Sequence, residues 1–182
     1  MPGREVLEAD VVIVGAGPAG LACALRLAQC AAVRPGVLNL GNVNMIEKGR
    51  EVGAHLLSGA LLDPRALREL LPACEKEAPL DTPVRSDAAY FLTQRGQIRF
   101  PITPPFLRNE GNYVVSLNRL GRWLGRKVEE AGITIFTATS GMEVLYDERD
   151  AVAGVRTDDK GLDRDRRPRQ NYQPGSDLRA KV

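Results

Sequence analysis

The chain has 182 residues, 43% hydrophobic and 26% charged, with a formal net charge of +2. These are values of a globular domain with a core of its own. Near-neutrality and a 5% aromatic content argue against a nucleic-acid surface. No apolar run approaches the roughly 18 residues of a membrane-spanning helix. The opening MPGREVLEAD lacks the apolar core of a secretory signal and the Arg/Ser-rich character of a transit peptide. A soluble, bacterial-type start is therefore expected, with any membrane contact peripheral or made through other parts of the protein.

The first predicted element is Val11 to Val14, a β-branched run suited to a strand buried on both faces. Gly15, Gly17 and Gly20 follow at G-x-G-x-x-G spacing, and an Ala/Leu-rich helix is expected from Pro18 to about Cys30. The spacing has a mechanical cause: Gly15 permits the tight turn, Gly17 lets the backbone approach a pyrophosphate, and Gly20 lets the helix pack close to the strand. The helix N-terminus offers free N–H groups to the phosphates. Set between a strand and a helix, this motif points to a bound dinucleotide.

Pro35, Gly36 and Gly41 mark a loop, and Val43 to Ile46 reads as the second parallel strand, ending at Glu47. An acidic residue there accepts hydrogen bonds from ribose hydroxyls. Glu47 comes 27 positions after Gly20, beyond the usual spacing of about 20, and the loop at 33–42 accounts for the excess. A short helix with Asp63 as N-cap and Pro64 at N1 is expected to stop at Pro72. A β-type insert follows: Tyr90–Thr93 and Gln97–Phe100 pair across Arg95-Gly96, a turn-rich run (PITPPFLRNEGN) carries no regular structure, and Tyr113–Ser116 makes a strand. A second helix starts near Asn118 as N-cap, with Leu120, Leu124, Val128 and Ala131 on one face, Trp123 in the core and Gly132 past its end. Ile133–Phe136 is expected as the third parallel strand, and Glu143–Tyr146 and Ala151–Arg156 as a hairpin. The mixed-charge run from Thr157 reads as a solvated loop, and the final SDLRAKV as a strand beginning.

Cys23, Cys30 and Cys74 contain no C-x-x-C pair, so neither a disulfide framework nor an iron–sulfur site is expected within these residues. Cys23 and Cys30, seven apart on the first helix, are expected as small buried hydrophobes. His55 is the single histidine, which excludes a multi-histidine metal site; it is expected as a structural hydrogen-bonder. The fold class is α/β: a Rossmann-type dinucleotide-binding domain with a parallel sheet and a β-rich insert. Residues 1–157 form this domain, with the insert at about 80–116, and 158–182 a polar loop and the start of a further strand.

The stretches EKGREVGAHLLSGALLDPRAL, APLDTPV, GNYVVSLNRLGRWL and YQPGSDLRAKV closely resemble the electron-transfer-flavoprotein:ubiquinone oxidoreductase family, and the likeness runs over nearly the whole chain. GAHLLSGA is specific to that family, whereas the glycine motif is shared by many flavoproteins. The resemblance implies that residues 1–157 are an FAD-binding domain, incomplete at the C-terminus, and that the family carries a noncovalent FAD and a [4Fe–4S] cluster. It also implies electrons passed from reduced electron-transfer flavoprotein to ubiquinone at a bacterial or mitochondrial inner membrane. Carried over by position, Gly15, Gly17, Ala19 and Gly20 hold the pyrophosphate, and Glu47, with Lys48 beside it, the AMP ribose. The segment from Gly53 to Ala60 runs beside the flavin, with Ser58 and Gly59 near the ring. Arg119 meets the FAD phosphates, and the adenine lies around Ser140 to Met142. No acid–base or nucleophilic catalytic residue is expected, since the redox chemistry is the cofactor's.

The family chain is much longer, and this sequence ends before the later FAD motif, the quinone site and the cluster cysteines. It therefore reads as the N-terminal part of such an enzyme, with an unpaired sheet edge, and inactive alone in quinone reduction. The alternatives are a FixC-like or geranylgeranyl-reductase-like flavoenzyme, an NAD-binding dehydrogenase, and an inactive fragment that only binds FAD.

Overall fold

The computed structural model describes residues 3–182. In chain order its elements are β1 (Val6–Ala9), β2 (Val11–Val14), α1 (Pro18–Val33), β3 (Val43–Ile46), β4 (Ser58–Leu62), α2 (Arg65–Leu70), α3 (Cys74–Glu77), β5 (Thr82–Pro83), β6 (Tyr90–Thr93), β7 (Gly96–Arg99), β8 (Tyr113–Ser116), α4 (Leu117–Glu130), β9 (Thr134–Phe136), β10 (Gly141–Tyr146), β11 (Val152–Thr157), β12 (Lys160–Leu162), β13 (Pro168–Gln173) and β14 (Asp177–Ala180). They fall into two compact units, Met1–Leu56 with Gly121–Val182, and Leu57–Leu120.

The first unit is built on a parallel sheet of order β2-β3-β9, in which Ile13 pairs with Met45 and Met45 with Ile135. α1 buries Leu21, Ala24, Leu25 and Ala28, an i, i+3, i+4, i+7 stripe. With Ile13, Val43, Met45, Ile133 and α4's Trp123, Leu124 and Val128, these residues make the core. Leu21, Val43, Met45 and Val128 have no exposed area, and each such side chain contributes about 1.5–3 kcal/mol of burial. α4 ends where Gly132 N–H donates to Glu129 C=O and Ile133 N–H to Val128 C=O.

A second sheet, β1-β14-β11-β10, packs Val155 and Leu178 onto Ile46 and Val12. β14 lies parallel to β1 and antiparallel to β11. Beyond it, Val182 N–H donates to Asp10 C=O at 3.2 Å and Val12 N–H donates to Val182 C=O at 3.0 Å. The expected final strand is thus paired on both sides, and the chain past it extends the hydrogen bonding to β2.

The second unit holds an antiparallel sheet of order β4-β8-β5 and the separate hairpin β6-β7. Pro64, Leu67, Cys74, Val115 and Leu120 are its buried apolar residues. The turn-rich run is tied down by Asp87, whose carboxylate accepts the Asn109 backbone N–H at 2.7 Å and its side-chain amide at 3.2 Å.

The structure departs from the sequence expectations at identifiable points. α1 continues to Val33, one turn beyond Cys30, because no breaker precedes Pro35. Its apolar stripe leaves Cys23 and Cys30 on the opposite face, so both are exposed and only Cys74 is buried. α4 starts at Leu117, one residue before the expected cap Asn118. Ser116 takes the capping place, with its Oγ 3.5 Å from the Arg119 N–H. The β6-β7 turn is Gln94-Arg95, since Thr93 pairs with Gly96. The charged run is a hairpin, β12-β13, and not a loop. Asp163 Oδ1 accepts the N–H groups of Asp165 and Arg167 at 2.9 and 2.8 Å and closes its turn. Strands β1, β4 and β5 and helix α3 were not foreseen.

Candidate cofactor site

The glycine motif is seated between β2 and α1. Gly15 turns with φ +101°, a conformation that side chains resist, and its N–H donates to Ile46 C=O at 2.8 Å. A Cβ on Gly20 would lie 2.1 Å from the Gly15 carbonyl oxygen, so this position admits no side chain while the helix stays where it is. A Cβ on Gly15 or Gly17 would meet nothing within 4 Å. The first two glycines therefore border open space, and the third is a packing contact.

α1 opens onto that space. Its N-cap, Gly17, gives no side-chain cap, and the first turn holds no acidic residue. The first i→i−4 bond is Leu21 N–H to Gly17 C=O at 3.0 Å. The N–H groups of Ala19 and Gly20 are thus among those a helix start leaves without an intrahelical partner. With the dipole they make a place that favours an anion, and no atom stands within 4 Å of where a Cβ on Gly15 or Gly17 would be.

Glu47 closes the far side of this loop. Its Oε2 accepts the Ala16 N–H at 2.9 Å and its Oε1 the Gly49 N–H at 2.7 Å. Its own N–H donates to Phe136 C=O and its C=O accepts from Thr139 N–H. The side chain is 13% exposed, with His55 Nδ1 3.9 Å from Oε1. Two carboxylate oxygens offer about four acceptor sites, so hydroxyls can be held in addition to the two backbone donors. Sequence reasoning gave Glu47 a ligand role only; its grip on both turns needs coordinates to be seen.

The remaining expected site residues fall in different places. Lys48 is exposed beside Glu47, and Gly53 is buried in the following turn. Met142 lies on β10, half-exposed, lining an apolar cavity of about 510 Å³ with Val12, Val14, Val144, Val155 and Val182. In the second unit, the register of β4 on β8 shifts between Ser58 and Ala60, leaving Gly59 with φ +78° as the extra residue. Ser58 Oγ lies 3.1 Å from Ser116 Oγ. Arg119, on the first turn of α4, forms an ion pair with Asp81. Asp81 is a residue the sequence did not single out.

A strand, a glycine turn, an uncapped helix and a carboxylate ending the next parallel strand define a Rossmann-type dinucleotide-binding fold. The model of the NAD(P)-binding Rossmann-like domain matches residues 13–71. The chain is 44% identical over 183 aligned residues to the mitochondrial electron transfer flavoprotein-ubiquinone oxidoreductase of Dictyostelium discoideum, covering 100% of this chain and 30% of that protein. It is 47% identical to the Pseudomonas aeruginosa enzyme of the same name, covering 98% of this chain and 33% of that protein. Among solved structures, a geranylgeranyl bacteriochlorophyll reductase-like protein from Thermoplasma acidophilum superposes with a TM-score of 0.64 at 21% identity, covering 97% of this chain and 38% of that one. That likeness is one of fold. Over nearly its whole length the chain is similar to electron transfer flavoprotein-ubiquinone oxidoreductases, and it spans about a third of the length of these relatives.

Proposed function

We propose that this chain holds the FAD of an enzyme that passes electrons from reduced electron transfer flavoprotein to ubiquinone at a membrane surface. The observation that carries the reading is the uncapped, acid-free start of α1, opening onto clear space at Gly15 and Gly17 with Glu47 seated behind it. Identity of 44–47% with proteins named for this activity supports the choice of electron donor and acceptor.

In this reading the Ala19 and Gly20 N–H groups, with Gly15 and Gly17, bind the pyrophosphate. Glu47 accepts from the ribose hydroxyls, with exposed Lys48 next to it. Gly53, Ser58 and Gly59 border the flavin, Arg119 supplies positive charge to an anionic group of the cofactor, and Met142 borders the adenine. The FAD, when bound, supplies the redox chemistry. The chain's residues bind it, orient it and shape its surroundings. The [4Fe–4S] cluster belongs to the reading at family level only: among the described residues no group of three or more His, Cys, Asp and Glu is placed to hold a metal ion.

Contact with a membrane is proposed through the second unit. Tyr90, Phe91, Leu92, Ile98 and Phe100 of the β6-β7 hairpin region are all exposed, as are Ile102, Phe106 and Leu107 after it. Arg85, Arg95, Arg99 and Arg108 are exposed among them. An apolar surface set among cations suits the boundary of an anionic bilayer. No helix among the described residues is long and apolar enough to cross a membrane.

The test is to purify the chain and equilibrate it separately with FAD and with NAD⁺, following bound flavin by absorbance after gel filtration. Stoichiometric FAD with no retained NAD⁺ is the expected result. A chain that retained NAD⁺ and took up no flavin would overturn the reading.

A further inference from the structure

Asp81 is set against Arg119 by the fold and not by chance of the surface. It precedes β5, whose Thr82 and Pro83 pair with Val114 and Tyr113 of β8. Its two carboxylate oxygens do separate work. Oδ2 accepts the backbone N–H of Ser116 at 3.1 Å, while Oδ1 accepts from Arg119 Nη1. Ser116 is itself held, its Oγ lying 3.1 Å from Ser58 Oγ and capping α4 toward the Arg119 N–H. One end of the β4-β8-β5 sheet thus collects Ser58, Asp81, Ser116 and Arg119.

We propose that Asp81 is a positioning residue: it holds the Arg119 guanidinium in one orientation, so that its remaining N–H donors are presented to the anionic group of the cofactor. The proposal rests on the reading of Arg119 as a cofactor ligand. A guanidinium has five N–H donors in a planar fork, and Oδ1 of Asp81 engages it through Nη1. The Arg119 side chain is 62% exposed and that of Asp81 32%, so the rest of the fork faces outward. An ion pair this exposed contributes little to stability. Its effect falls on binding, because an arginine already ordered need not be immobilised when the anion arrives. The backbone bond from Ser116 matters here: a carboxylate tied to the main chain fixes the cation, whereas a free one would move with it.

The test uses the 182-residue chain, FAD fluorescence quenching to obtain Kd, and thermal melting of the cofactor-free protein. D81A is expected to weaken FAD binding about three- to tenfold with the melting temperature unchanged, and R119A to weaken it more. D81A/R119A should bind no worse than R119A alone, because Asp81 acts only through that side chain. If R119A weakens binding while D81A matches the parent or binds tighter, Asp81 merely repels or is idle; the proposal falls and the reading of Arg119 stands. An equal loss from D81A in the R119A background also overturns it. Unchanged binding in R119A removes the reading of Arg119 and the proposal with it. D81N, which keeps the shape and one acceptor, is expected between parent and D81A, and decides the matter if D81A fails to fold.

Discussion

Gly17→Ala and Gly20→Ala should separate binding from folding within one motif. At Gly20 the added Cβ would stand 2.1 Å from the Gly15 carbonyl oxygen and 3.4 Å from Ile13 Cγ2. Ordinary contact needs α1 to retreat by about 1 Å, and α1 is locked by Leu21 and Ala24, both fully buried. Overpacking of this kind costs about 1–3 kcal/mol. In a chain of this size that lowers Tm by about 2–12 °C at about 2–4 °C per kcal/mol. At Gly17 the backbone is extended, with φ −76° and ψ 175°, and the Cβ meets nothing within 4 Å. Alanine there leaves stability within about 0.5 kcal/mol, yet it fills the space assigned to the pyrophosphate. Differential scanning fluorimetry without cofactor, paired with FAD titration, reads both effects. G17A should melt like the parent and bind FAD at least tenfold more weakly, while G20A should melt lower. Full FAD affinity in G17A would refute the assignment of that space, and an unshifted Tm in G20A would refute the packing account.

Two further predictions follow from charge and exposed area. Arg156 grips Asp177 with Nε on Oδ1 at 2.8 Å and Nη2 on Oδ2 at 2.9 Å, and this holds the Asp177 carboxyl below its usual range. Since its folded value is depressed, the contribution is present above the unfolded value of about 3.9 and lost as pH falls through the folded one. D177N should cost about 1 kcal/mol at pH 7 and flatten the acid limb of a urea-stability profile; an unchanged limb counts against the pair. Phe91 and Ile98 face each other across the hairpin, 58% and 64% exposed. F91D/I98D should reduce sedimentation with anionic vesicles at least tenfold, and undiminished sedimentation would remove the hairpin from the membrane-contact proposal.

The parallel sheet and its glycine turn were legible because their signals are local. Val11–Val14 and Val43–Ile46 are runs of buried-strand residues, and α1 carries its 3.6-residue stripe within one segment. What escaped depends on distant partners. β1 is a strand because Val6 pairs with Asp177, and β4 because Leu61 pairs with Val114; neither segment alternates cleanly. The Asp158–Arg169 stretch looked solvated because its charges are interleaved. Yet Asp159 accepts the Gly175 N–H at 2.9 Å and pairs with Arg4 from the other end of the chain. Cys23 and Cys30 were misplaced by composition alone, when the phase of Leu21, Ala24, Leu25 and Ala28 already assigned them to the outer face. Asp81 was visible only as part of a family-like stretch. Its use depends on Ser116 and Arg119, 35 and 38 positions away.

Glu47 and Asp81 use the same device to different ends. Each is a carboxylate with backbone N–H donors on its oxygens, and therefore neither must be ordered when a ligand arrives. At Glu47 both oxygens take main-chain donors from two separate turns, Ala16 and Gly49, with the side chain 13% exposed. The group that would recognise the ribose thus also shapes the loop that would receive the pyrophosphate, and its removal loosens both at once. At Asp81 one oxygen is anchored and the other faces a cation, with more of the side chain in water. Loss there frees Arg119 and leaves the sheet paired. A substitution at Glu47 therefore mixes fold and affinity in one measurement, whereas one at Asp81 isolates the value of holding an arginine still.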